Sequence, residues 1–264
     1  MSGEWLEREA LVIVKAYPNP SAKYFESVCV AAVTREEGWV RLYPVGFRSL
    51  PEKQRFKKYQ VIRLRMQQHD RDRRPESFRP DEHSIQLRKV VGTEDKWRER
   101  WQWIRPTLGV TMCELQRMQE SSKRSLACIK PREIDKLIVE ASDAEWAGRK
   151  QGTIDQMVLF DPLDTKLEKI PFTFKYRYRC EDPGCRGHNQ SIIDWELMER
   201  YRKLRNQGVP PEAIPEEIRK KFLGELCGSK KDTHFFVGNH SLYPLSFMVL
   251  GVFWPPKSSE RSLF

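Results

Sequence analysis

Apolar positions along the chain fall into short runs and alternations far more often than into long helical stripes. Ala10 to Ala16 is a β-branched run stopped by Tyr17 and Pro18, so it reads as a buried strand. Val28 to Val33 is a second such run, followed by a turn at Glu36, Glu37 and Gly38. Trp39 to Tyr43 then alternates, with Val40 and Leu42 on one side and Trp39, Arg41 and Tyr43 on the other. Tyr59 to Met66 alternates again: Ile62, Leu64 and Met66 point inward, Arg63 and Arg65 outward. Four strands this close together predict a small antiparallel sheet or barrel.

The middle of the chain changes period. Glu94 to Ile104 places Trp97, Trp101 and Ile104 on one helical face. Thr111 and Glu114 form a capping-box pair, opening a helix whose apolar side is Leu115 and Met118. Ser125 to Pro131 and Ile134 to Val139 read as extended segments, and 141–152 as a polar linker. Met157 to Phe160 opens a second β-rich region. Phe172 to Arg179 follows it, with Phe174, Tyr176 and Tyr178 on a core face and Lys175, Arg177 and Arg179 on a wet one. Ser191 is the expected cap of the next helix, Asp194 falls in its first turn, and Ile193, Leu197, Tyr201 and Leu204 form its stripe. A short helix begins at Pro215, and strands at His234 to Val237 and Ser246 to Trp254 close the pattern.

Charge sharpens this picture. The net charge is +10, a balance that favours polyanions. Arg48 to Lys89 holds 13 Lys/Arg against 6 Asp/Glu, which concentrates most of the excess in one stretch. Residues His69 to Pro75 read as an exposed basic loop, with Pro75 and Pro80 keeping it from being helical. No apolar run reaches membrane-spanning length, and the first residues lack a secretory core. Six scattered cysteines do not make a disulfide framework. A reducing cytoplasm and no membrane partner are the resulting expectations.

Two constellations carry candidate chemistry. Cys180, Cys185 and His188 stand in a C-x4-C-x2-H spacing across a Pro-Gly turn. Three such ligands can converge on a structural zinc if a fourth arrives from elsewhere, Cys227 first and His234 or His240 next. Free buried thiols beside a surface histidine are the alternative reading, and a catalytic metal is a third. Asp194 and Glu196 invite a metal-dependent nuclease reading, but positions two apart on a helix do not face each other. Phosphate-binding glycine loops, nucleophile elbows and Cys/His nucleophile pairs are missing, so no catalytic residue is assigned. The outward aromatics and cations form the second constellation. Trp39 and Tyr43 would stack on unpaired bases, while Arg41, Arg63 and Arg65 meet phosphates; Arg48, Lys57, Lys58, Arg71, Arg73 and Arg74 extend the basic surface. Packing of Trp39 and Tyr43 against a second core is the competing explanation.

Trp39 to Pro44 with Phe47 and Arg48, Ser125 to Pro131, Cys180 to His188 leading into Asp194 to Glu196, and Ser246 with Phe247 together resemble the bacterial dual OB-containing domain family. The resemblance implies two OB-like barrels and nucleic-acid binding in bacterial defence or genome maintenance, without catalytic residues to carry over. The expected architecture is therefore α+β and β-rich. A first OB-like unit spans 8–90, a helical connecting segment 91–152, and a second OB-like unit with the Cys/His knuckle and a helical insertion 153–258. The expected partner is single-stranded or unpaired DNA or RNA. A nucleic-acid-processing enzyme and a protein-interaction subunit of a larger complex are the rivals.

Overall fold

A computed structural model of the protein describes residues 4–21, 25–146 and 167–257. Its contacts divide the chain into two compact units, 1–90 with 140–173 and 91–139 with 174–264. The fold is mixed α+β and strand-rich, as the periodicity implies.

The first unit is built on β1 (Trp5–Lys15), β2 (Asn19–Ser21), β3 (Phe25–Thr34), β4 (Trp39–Val45), β5 (Gln60–Gln68) and β6 (Ser77–Val90). The sheet runs β1-β5-β6-β4-β3-β2, and β1 also pairs with β3. That extra pairing closes a five-stranded barrel. β1 is the seam: Ala10 lies opposite Thr34 on one side and Ile62 on the other. A register shift between Val12 and Val14 lets the strand bend where the ring closes. Ala10 to Val14 are buried without alternation, which explains their unbroken apolar run. Ile62, Leu64 and Met66 point inward and Arg63 and Arg65 outward, as expected.

The loop expected from His69 to Pro75 is present between β5 and β6, but the strand that follows it was not anticipated: β6 starts at Ser77 and carries Phe78, Pro80, Ile85 and Leu87 along β5. Pro80 argues against a strand in sequence. It is tolerated because β4 pairs with β6 only at Ser77 and Phe78, leaving that side of Pro80 without a ladder. Contrary to expectation, the outer side of β4 is not a free platform. Trp39 is 6% exposed and Arg41 4%. Small neighbours, Ala31 on β3 and Ser77 on β6, flank Arg41 in register, and its Nη1 donates to Cys29 Sγ at 3.2 Å. Tyr43 is half-buried.

The second unit contains α1 (Glu94–Ile104), α2 (Met112–Arg117), α3 (Gln119–Ser122), β7 (Leu126–Ile129), β8 (Pro131–Ala141), β9 (Phe172–Cys180), β10 (His188–Ser191), α4 (Trp195–Asn206), α5 (Ile214–Arg219), β11 (His234–His240) and β12 (Tyr243–Phe253). The stretch expected to connect two domains thus supplies helices and strands to this unit. Two three-stranded sheets form, β12-β11-β7 and β10-β9-β8. Only Lys130 separates β7 from β8, and a parallel bridge joins Ile192, just after β10, to Val249 on β12.

The core of this unit is aromatic. Tyr176 stacks on Phe235 with centroids 4.6 Å apart, and Tyr178 meets the same ring edge-on at 5.1 Å. Both phenols are buried and both donate, Tyr176 to Phe222 O and Tyr178 to Gln190 Oε1, each at 2.6 Å. Gly238 on β11 suits a close approach: a Cβ there would sit 2.8 Å from Leu250 Cδ1 and push that side chain aside. Asp194, rather than Ser191, caps α4, accepting from Glu196 N at 2.9 Å, while Ser191 ends β10. Leu197, Tyr201 and Leu204 bury the expected stripe. Met157 to Phe160 lies outside the described residues, as do Asp161 and Asp164, the further acids a metal-dependent nuclease reading of Asp194 and Glu196 would need.

Candidate metal centre

Cys180 ends β9, a strand whose aromatic face is locked into the core. The chain then turns through Asp182, with Cys185 N donating to Asp182 O at 3.1 Å and Gly184 N to Asp182 Oδ1 at 2.8 Å. Gly187 has a φ of 102°, open to glycine, and it brings the chain back so that His188 starts β10 opposite Tyr178. Tyr178 also packs against the His188 ring at 5.1 Å. Pairing with β9 therefore fixes the knuckle at both ends.

The fourth member comes from α2. Thr111 and Glu114 form the reciprocal capping box anticipated from their spacing. Met112 and Leu115 anchor the helix in the core, which leaves Cys113 on the side facing the knuckle. Arg117, one turn on, bonds Asp182 Oδ2 at 2.5 Å and ties α2 to the turn. That arginine holds the Asp182 carboxyl below the usual range against the opposing effect of desolvation, with help from the Gly184 amide.

The donor atoms of Cys113, Cys180, Cys185 and His188 all lie within 4.8 Å of one another. Cys113 and Cys180 sulfurs are 3.6 Å apart. His188 Nε2 stands 3.3 Å from Cys185 Sγ, 3.4 Å from Cys180 Sγ and 3.6 Å from Cys113 Sγ. A tetrahedron with metal–sulfur bonds of about 2.3 Å has edges of about 3.8 Å, so these spacings leave room for one small cation at the centre. Among the described residues, this is the one grouping of three or more donors that could hold a metal.

The protonation states of His188 and Cys185 fit that use. Burial lowers the His188 pKa, keeping the imidazole neutral and able to donate a lone pair. Burial also opposes a thiolate at Cys185, but N–H groups of Cys180 and Gly187 outweigh it and pull that pKa down. Cys113 is pushed up to about 12, first by burial and then by the neighbouring cysteines. Three thiols in one pocket repel as anions; a divalent cation reverses that penalty.

Cys227, the expected fourth ligand, sits elsewhere. Its Sγ lies 3.2 Å from Phe222 O and 3.9 Å from Tyr176 Oη, and burial pushes its thiol up to about 12. His234 lies in β11 and His240 at its end, neither in the cluster. Cys113 went unassigned because 67 residues separate it from Cys180. The signal was present in the capping box, which fixes where α2 begins but not what it faces. Asp194 is occupied as a cap and 2% exposed, and Glu196 is exposed beside it, so the pair is a helix start.

Comparison with known families bears on the same region. A profile described as Domain of unknown function (DUF8757) matches residues 108–264. The chain belongs to this family. All four donors fall inside the DUF8757 region. A second profile, Domain of unknown function (DUF8758), matches residues 7–106, covering the barrel and α1. No curated protein matches the chain.

The residues expected to meet nucleic acid divide into four groups. Trp39 and Arg41 are buried. Arg63 bonds Glu7 at 2.7 Å, Arg65 bonds Asp81, and Arg74 bonds Asp72 at 2.5 Å. Lys58 lies over the Tyr59 ring at 5.6 Å and Arg48 is half-buried. Lys57, Arg71 and Arg73 are exposed, and their side chains make no ion pair among the described residues.

Proposed function

We propose that the protein binds single-stranded or unpaired nucleic acid through the basic connection between β5 and β6, on an OB-like barrel. Strand order carries this reading. Counting barrel strands in chain order without the short β2, the first unit pairs first with second, second with third, third with fifth, fifth with fourth and fourth with first. The third–fifth pair, β4 with β6, is parallel. This strand order supports an OB-like reading of the barrel, and in OB barrels the loop between the fourth and fifth strands is a common nucleic-acid contact. That loop here is residues 69–76, which holds Arg71 and Arg73.

The second unit supports the same reading. The bent β7–β8 segment stands as first strand, with β9, β10, β11 and β12 following. Their pairings repeat the ring, including a parallel third–fifth contact at Ile192 and Val249. The helices α4 and α5 fall between third and fourth strands.

The first loop is organised to present cations. Asp72 accepts from Arg74 and from Ser77 Oγ at 2.7 Å. Burial opposes its charge, but these donors win and lower its pKa to about 2. The pinned turn leaves the Arg71 and Arg73 guanidiniums exposed, where they can replace counterions on phosphates. The Cys113, Cys180, Cys185 and His188 cluster serves as a structural zinc site in this proposal, supported by its closed four-donor set and burial.

Titrating labelled single-stranded DNA and RNA between 50 and 200 mM salt tests the reading. Affinity falls steeply with salt, and Arg71→Ala with Arg73→Ala flattens the log–log slope by about 1.4, at about 0.7 per phosphate contact. Binding that ignores salt, or no binding to either polymer, refutes it.

A further inference from the structure

The second unit holds a cleft of about 860 Å³ that neither the metal cluster nor the basic loop explains. Its volume lies in the range of small-ligand sites. Trp101 on α1 lines it, half-buried, with its ring edge-on to Phe253 at 4.8 Å and to His234 at 5.3 Å. His234 is only 4% exposed; its Nε2 pairs with Asp232 Oδ2 at 3.4 Å, while Nδ1 has no hydrogen-bond partner among the described residues. Asp232 is already engaged by Lys130 at 2.9 Å. A buried imidazole on a cleft wall with hydrogen-bonding capacity to spare calls for a ligand group.

The rim adds cations held by an unusual backbone. Asp95, Lys96 and Trp97 have φ of 47°, 52° and 69°, three successive left-handed residues without a glycine. Such conformations concentrate where surroundings enforce them, often at ligand clamps. Here Trp97 is the anchor: it packs edge-on against Phe253 and Trp254 at 5.5 and 4.9 Å, with Arg100 over its ring at 4.6 Å. The same turn places Lys96 on the cleft. Arg98 is taken by Asp95 at 2.7 Å, whereas Lys96 and Arg105 are exposed and make no ion pair among the described residues. Glu181 is the acid on the rim that also lacks one.

From this geometry we infer that the cleft binds a nucleoside phosphate, its heterocycle against Trp101 and His234 and its phosphate on Lys96 and Arg105. The ligand is either a free nucleotide or the phosphorylated terminal residue of a strand. The inference does not depend on the basic loop of the first barrel, and the test uses a chain carrying Arg71→Ala and Arg73→Ala to keep the two apart.

Calorimetric titration of that chain with AMP gives binding at least tenfold tighter than with adenosine or inorganic phosphate alone. Arg105→Glu, a surface change, weakens AMP at least tenfold with an unchanged melting temperature, and His234→Phe abolishes preference for AMP over inorganic phosphate. A 5′-phosphorylated tetranucleotide that displaces AMP marks the strand end as the source; one that binds no tighter than its unphosphorylated form while AMP binds marks the free nucleotide. Absence of binding by both AMP and the tetranucleotide, phosphate binding as tightly as AMP, or Arg105→Glu binding AMP as tightly as the parent overturns the inference.

Discussion

The two units hold their strands together differently. In the first, β1 pairs along both edges and the core is aliphatic, with Leu11, Ile13, Leu42, Ile62 and Leu64 fully buried. In the second, two sheets meet through one bent strand and one parallel bridge, and the core is aromatic, built on Tyr176, Tyr178, Phe235, Phe236 and Phe253. A continuous ladder needs no further clasp. Two sheets joined at a single bridge gain from a cross-link, and the Cys/His cluster joins the β9–β10 turn to α2. The difference teaches that the knuckle is architecture for the second unit, while exposed cations on a rigid loop are the first unit's outward feature.

Breaking the clasp has the largest effect. Cys180→Ser costs the second unit on the order of 5 kcal/mol or more, because metal binding and folding of such sites are coupled. The expected result is about one zinc per chain in the parent by metal analysis, its loss in the variant, and a lowered melting transition by calorimetry. The matching lesion in the first barrel is Ile62→Ala, fully buried, which costs about 2–5 kcal/mol by denaturant unfolding and leaves zinc content unchanged. Tyr176→Phe strips a donor from Phe222 O inside the aromatic core and costs about 1–3 kcal/mol in the same measurement.

Smaller effects sharpen the contrast. Thr111→Ala removes the cap that starts α2, costs about 1 kcal/mol and weakens zinc retention in chelator competition. Acid probes the first barrel's loop. Asp72 has a folded pKa of about 2 against an ordinary carboxyl value of 3.8. Its charge therefore stabilises the fold fully above about pH 5, and that contribution is lost as pH falls through about 2. Asp72→Asn is less stable than the parent near neutral pH, and the gap closes in acid unfolding toward pH 2.

How far the chain could be read depends on range. Local signals survived: the alternation of β5, the core face of β9, the Thr111–Glu114 box and the stripe of α4 all arise from neighbours within a turn or a pleat. Long-range facts did not. Cys113 reaches the knuckle through tertiary packing, and nothing in spacing distinguishes it from Cys227. Trp39 and Arg41 alternate like an exposed face, yet small residues on β3 and β6 allow that face to be covered. Pro80 hid β6, since a ladder missing on one side cannot be seen until strands are paired.

Hydrogen–deuterium exchange before and after metal removal tests the account most directly. The expected result is selective loss of protection in α2, β9 and β10, with β1, β3 and β5 unchanged. Equal loss in both units, or no loss around Cys113 and Cys180 to His188, would contradict a clasp that belongs to the second unit alone.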